Sequence, residues 1–294
     1  MQWRTNTVWS LLKQTAQSWL DDYAPSMGAA LAYYTLFSLA PLLLIVISVA
    51  GLIFGEDAAR GEMTSQLRSL MGDAGARAVQ DLLASVRQPV EGSFATAVGL
   101  LLLLVGATTV FAELQDSLDR IWRVPVRVQS NGWLTLVRAR LLSFGMILAI
   151  GFLLTVSLVV SAVLALLGRS VEPFFGEWYM VGAAASAIGG FLLIAAMFAL
   201  IYKVMPRVRV HWKDVWTGAV FTAMLFTFGK FAIGLYISHF GVSSAFGAAG
   251  SLVIVLLWVY YSAQVFLFGA EFTWVYANAC GSRKSAVSTS EHAP

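Results

Sequence analysis

The sequence predicts an all-α polytopic membrane protein with six transmembrane helices and both termini cytoplasmic, plus short amphipathic helices at the membrane surfaces. Three observations carry that prediction. Of the 294 residues, 59% are apolar and only 12% are charged, where a soluble domain is roughly 45–50% apolar and about 25% charged. Six apolar runs are each long enough to cross a hydrocarbon core of roughly 30 Å, which takes about 20 helical residues. The basic residues segregate by loop, thirteen on one side of the membrane against five on the other, which is the bias that sets orientation.

The six runs are Met27–Phe54, Phe94–Ala112, Leu141–Leu167, Trp178–Tyr202, Val215–Ile237 and Gly247–Tyr276. They are continuously apolar, with no alternation of inward and outward faces, so they read as helices rather than barrel strands. The first run is too long for the apolar region of a cleavable signal sequence. Ahead of it, residues 1–22 predict an amphipathic helix on the inner surface. Trp9, Leu12, Ala16 and Trp19 share a face there, and Pro25 suits the start of the next helix. The outer loop, residues 55–93, is the only long one. Met63, Leu67 and Leu70, then Val79, Leu82, Leu83 and Val86, keep helical spacing around Gly72 and Gly75. That spacing predicts two short amphipathic helices packed on the outer face or at the outer interface. The stretch AELQDSLDRIW, Ala112–Trp122, continues the second span as a helix into the cytoplasm. Residues 1–280 therefore form a single six-helix membrane domain, and 281–294, small and polar, a disordered tail.

The inner-side cations are Arg4 and Lys13, then Arg120, Arg123, Arg127, Arg138 and Arg140, then Lys203, Arg207, Arg209 and Lys213, then Arg283 and Lys284. Arg60, Arg68, Arg77, Arg87 and Arg169 lie on the outer side. Aromatic belts agree: Trp122, Trp133, Trp212, Trp216, Trp274 and Tyr276 fall near the inner interface, and Trp178, Tyr179 and Tyr236 near the outer one. The expected partners are the lipid bilayer and anionic phospholipid headgroups, which Arg120, Arg123, Arg138 and Arg140 would gather at the inner surface. A net charge of +3, divided by membrane side, gives no nucleic-acid footprint. Oligomeric state leaves no mark in the sequence.

No catalytic constellation stands out. Cys280 is the only cysteine, so there is no disulfide framework. His211, His239 and His292 have no metal-ligand spacing. Neither a glycine-rich phosphate loop nor a nucleophile elbow occurs. The expectation is therefore no enzyme, no metal and no cofactor.

Polar groups inside a span are costly and become candidates by default. Lys230 lies about 22 Å into the fifth span at 1.5 Å per residue. It either snorkels outward or lines a polar cavity. Pro41 removes an amide donor from the first span and frees the Phe37 carbonyl at a similar depth. Thr35, Ser38 and that carbonyl form a candidate lining for Lys230, and Gln264 and Tyr260 sit mid-span as further path candidates. Glu271 lies about 36 Å along the sixth helix, at the inner interface and too far from Lys230 to pair. Glu271 and Glu113 are instead expected to meet Arg120, Arg138 or Arg207 in structural ion pairs. Small residues four apart, Gly28/Ala32, Gly145/Ala149 and Gly247/Ser251, suit close helix packing.

Three stretches, GAALAYYTLFSLAPLLL (Gly28–Leu44), LDRIWRV (Leu118–Val124) and FGAAGSLVIVLLWVYYSAQVFLFGAEFT (Phe246–Thr273), resemble the YihY/BrkB family of bacterial inner-membrane proteins. The resemblance spans nearly the whole chain. It implies a six-helical, multi-pass inner-membrane protein. It also brings an old ribonuclease BN label, regarded as a misannotation, and a virulence-factor name. The absence of a metal-nuclease motif agrees with dropping the ribonuclease label. The resemblance further implies transport in envelope lipid handling, and it supplies no catalytic residues. The leading expectation is a transporter-like protein that moves an amphipathic or anionic substrate, with an envelope lipid as candidate, between leaflets. The alternatives are an ion-coupled small-solute carrier or channel, and a non-transporting envelope scaffold.

Overall fold

The computed structural model of the protein describes residues 5–86, 109–125, 178–239 and 249–283. The third predicted span, most of the second, Arg138, and residues 284–294 of the tail lie outside them. Seven helices occur among the described residues, with no strand: α1 (Thr5–Asp21), α2 (Ala24–Phe54), α3 (Glu56–Val86), α4 (109–121), α5 (Trp178–Val204), α6 (Trp212–His239) and α7 (Gly250–Ala279). Three of these contain stretches long and apolar enough to cross a membrane: Ala187–Val204 in α5, Trp212–Tyr236 in α6 and Gly250–Ala279 in α7.

The chain divides into two compact units. One comprises Met1–Ser18, Leu118–Leu225 and Phe268–Pro294, the other Trp19–Ser117 and Phe226–Leu267.

Helix α1 turns Leu11 and Thr15 inward, with Leu12, Ala16 and Trp19 half-buried beside them. Trp9 (72% exposed) and Leu20 point outward. The apolar face is thus wider than the predicted stripe, with one edge packed and the other open. Tyr23, in the left-handed region at φ 57°, turns the chain into α2. Pro25 occupies the first turn of α2, where its missing donor costs nothing. Helix α2 then runs 31 residues, unbroken through Pro41, so that proline costs a donor without ending the helix.

Gly55, at φ 86°, folds the chain back on itself. The following helix, α3, is two helical arms joined at Gly72, where φ is 74° and ψ 177°. That backbone region is essentially reserved for glycine. The first arm returns along α2: Met63 and Leu67 meet Ile47 around a shared cavity, and Met71 joins Leu36 in a buried cluster. Leu36 is 18 residues before the end of α2, about 27 Å of helix. Ala78 and Val79 of the second arm enter the same cluster, with Ile233 of α6 and Ile254, Val255 and Trp258 of α7. The residues predicted to form two amphipathic helices thus make up the two arms of α3, which pack with residues of α2, α6 and α7. The apolar residues on either side of Gly72 provide the reason: Met71, Ala78 and Val79 are buried in the cluster, while Gly72 and Asp73 at the tip stay exposed. Replacing Gly72 by alanine is expected to cost about 1–3 kcal/mol through backbone strain. Hydrogen exchange should register it as faster exchange confined to residues 56–86.

One face of α6 stays open along its whole length. Trp212, Trp216, Val220, Met224, Phe228, Phe231 and Leu235 follow each other at three- and four-residue steps, all exposed, Phe228 by 84%. A contiguous apolar stripe of this length is not stable against water. A lipid phase meets it without cost.

Candidate functional site

The second unit holds every residue singled out as lining a path. Lys230 is half-buried on α6, and its Nζ lies 5.5 Å from the centre of the Phe231 ring. It sits at the margin between the exposed stripe and the buried face, where Ile233 enters the core cluster and Phe226 packs against it. Lys230 is therefore within a helical turn of the cluster that Met71, Ala78 and Val79 of the hairpin join. At the hairpin tip, Arg68 and Asp73 form an ion pair of 2.7 Å across Gly72, each side chain 63% exposed.

The other candidates are placed separately. Ser38 is buried and donates to the Thr35 carbonyl at 3.1 Å, a local bond within α2. Gln264 donates to the Pro25 carbonyl at 3.3 Å, and its amide fills the space above Gly28. The close approach expected at Gly28 is thus a slot for a side chain of α7. Tyr260 is half-buried, while its neighbour Tyr261 lays its hydroxyl on the backbone of Gly229. Among the described residues no hydrogen bond or ion pair joins Lys230 to Thr35, Ser38, Gln264 or Tyr260.

The first unit holds Arg120, Arg207 and Glu271 of the groups predicted for the inner side, and Glu113 belongs to the second. Asp119, 1% exposed, accepts the Arg207 backbone N–H at 2.8 Å and pairs with its guanidinium at 3.1 Å. Helix α4 ends here. Val124 N–H reaches the Asp119 carbonyl and Arg123 N–H the Arg120 carbonyl, a Schellman termination with Arg123 left-handed at φ 52°. The Arg123 guanidinium lies 4.5 Å from the Trp274 ring centre, and that of Arg283 5.0 Å from Trp122. Trp122 is buried. Buried Asp214, in the first turn of α6, accepts both the N–H and the hydroxyl of Ser282. Gly281 is needed beside it, since a Cβ there would lie 2.3 Å from the Asp214 carboxylate. Residues 281–283, the start of the predicted tail, are therefore held in place.

Glu271 is fully buried on α7. Arg120 is exposed, and Glu113 is half-buried, its carboxyl held above the usual range by burial and by the charge of Asp116. His211, Lys213, Asp214, Tyr276 and Ser282 line a cavity of about 350 Å³. Among the described residues no group of three or more His, Cys, Asp or Glu side chains is placed to hold a metal ion.

The same unit contains a packing device that residue spacing alone does not reveal. Thr222 of α6 bonds back to the Gly218 carbonyl, and Thr273 of α7 to the Gly269 carbonyl, each at 2.7 Å. Each threonine presses on the other helix's glycine. A Cβ on Gly218 would meet Thr273 Oγ1 at 1.7 Å, and one on Gly269 would meet Thr222 Oγ1 at 1.9 Å. Tyr202 of α5, fully buried, closes the group with a 3.0 Å bond to Thr222.

Long apolar helices, an outward apolar stripe and glycine–threonine packing between helices define a helical membrane protein. The chain belongs to the Virulence factor BrkB family, whose model matches residues 15–293. It is 32% identical to a UPF0761 membrane protein of Pseudomonas aeruginosa over 87% of this chain and 60% of that one. It therefore spans somewhat less than two thirds of that relative. UPF0761 membrane proteins of Tolumonas auensis (29% identity, 86% of this chain, 80% of that one) and Pseudoalteromonas translucida (28%, 90% and 88%) are also similar. No solved structure matches.

Proposed function

We propose that this chain is a six-span, multi-pass protein of the bacterial inner membrane with both termini cytoplasmic, and that it moves an amphipathic or anionic substrate, of the envelope-lipid class, between leaflets. The reading is non-enzymatic. The observation that carries it is the hairpin α3. If α2 crosses the membrane, the hairpin re-enters it, and its tip lies about 27 Å back along α2. Non-helical backbone and exposed charges at such depth are tolerated only where they line water or protein. The exposed Arg68–Asp73 pair therefore argues for an aqueous path beside the tip. Lys230, within a turn of the same cluster and bordering the lipid-facing stripe, adds a cation where a headgroup would pass between lipid and path.

The test is reconstitution into liposomes with a leaflet-exchange assay. Exchange above protein-free vesicles is expected for at least one anionic envelope lipid. Lys230→Ala is expected to slow it about fivefold, the weight of one cation near an anionic surface. Absence of exchange for every envelope lipid would sink the reading.

A further inference from the structure

We propose that the hairpin α3 and helix α2 form a binding site for a single-chain anionic amphiphile. The site stands independently of the transport reading. A cavity of about 190 Å³ lies between α2 and the two arms of the hairpin. Its walls are apolar on three sides: Ile47 from α2, Met63 and Leu67 from the first arm, and Leu83 and Ala84 from the second. Its polar groups are few and converge. Gln80 donates to Thr64 at 3.0 Å across the arms, and Arg60 lines the same space.

Arg60 gives the site its sign. One guanidinium nitrogen, Nη2, bonds Glu56 one turn earlier. Its Nε is buried with no acceptor. A guanidinium N–H hidden from water without an acceptor is costly, and an anionic oxygen in the cavity would satisfy it through a charge-assisted bond. The apolar remainder then takes hydrocarbon. At about 30 Å³ for a water-sized group, the volume holds about six such groups, which is a short alkyl chain and not a two-chain lipid. A mostly apolar pocket with a few convergent polar groups is the usual form of a small-molecule site.

The test uses the full chain in nanodiscs of zwitterionic lipid, titrated with octyl phosphate, octanoate and octanol, with empty nanodiscs as the partition control. Saturable binding of octyl phosphate or octanoate is expected, tighter than any binding of octanol, and the two acids separate a phosphate from a carboxylate preference. Butyl phosphate should bind more weakly than hexyl phosphate, by about fourfold per methylene that the cavity buries, and octyl phosphate little tighter than hexyl phosphate. Arg60→Gln is expected to weaken binding about tenfold or more, and Arg60→Lys to keep part of it. Glu56→Gln, which removes the competing carboxylate, should bind at least as tightly as the wild type. Ala84→Trp, at an exposed rim position, should fill the cavity and abolish saturable binding without changing the melting point. The proposal is overturned if binding is not saturable, if octanol matches the acids, or if Arg60→Gln or Ala84→Trp binds as the wild type does.

Discussion

Replacing Asp119 by alanine is expected to lower stability by about 3 kcal/mol, the lower end of the cost of breaking a buried ion pair from one side. The carboxylate does two things at once. One oxygen accepts the Arg207 backbone N–H, and the other faces its guanidinium, which is only 24% exposed. Alanine removes both acceptors, so a charged group and an amide lose their partner together. Asparagine keeps an oxygen for the amide and loses only the charge, and should cost less, about 1–2 kcal/mol. Arg207→Met alone also destabilises, because it leaves the carboxylate buried without that guanidinium. The double variant Asp119→Leu/Arg207→Met should recover much of the loss, since an apolar pair of similar volume often matches a buried ion pair. Thermal unfolding in detergent measures all four together with Asp119→Leu alone, and the coupling between Asp119→Leu and Arg207→Met is the decisive quantity. Additive single effects would mean that the two side chains do not act as a pair.

Helix positions were legible because lipid selects for uninterrupted apolar runs, and such runs leave a plain mark. The run Met27–Phe54 became Ala24–Phe54, Trp178–Tyr202 became Trp178–Val204, and Val215–Ile237 became Trp212–His239. The break at Gly72 was legible too, since the apolar spacing changes register at a glycine, the residue that a sharp turn between two helical arms requires. What stayed hidden was pairing between segments distant in sequence. Asp119 sits in LDRIW with nothing to mark it, and its partner is 88 residues away. Depth counting placed Glu271 at an interface, but burial depends on neighbouring helices, and counting along one helix cannot register them. Gln264 read as a mid-span path candidate, and its contact with Pro25 at the first turn of α2 is 239 residues away in sequence. Gly218/Thr222 and Gly269/Thr273 carry the same four-residue spacing as Gly28/Ala32. Spacing alone does not tell which small residue receives which neighbour.

Those two glycines carry the second large effect. Gly269→Ala is expected to cost about 3 kcal/mol, the upper end of ordinary overpacking, and Gly218→Ala somewhat less. The asymmetry follows from the neighbours. A methyl group on Gly269 would meet Thr222 Oγ1 at 1.9 Å and the Tyr202 hydroxyl at 2.6 Å, side chains from two different helices. For one on Gly218 the nearest atoms all belong to Thr273, its Oγ1 at 1.7 Å. Neither threonine can swing away freely, because each hydroxyl is bonded to its own helix backbone. The helices must separate instead, and a close-packed interior has no slack to absorb that. Separation would also open the Tyr202–Thr222 bond in a buried setting. Gly218→Ala/Thr273→Gly transfers the missing side chain to the other helix and should recover part of the loss, less about 1 kcal/mol for glycine inside a helix. Melting in detergent ranks these variants. An order in which Gly218→Ala is worse than Gly269→Ala, or a double variant no better than Gly218→Ala, would show that the glycines are not receiving those side chains.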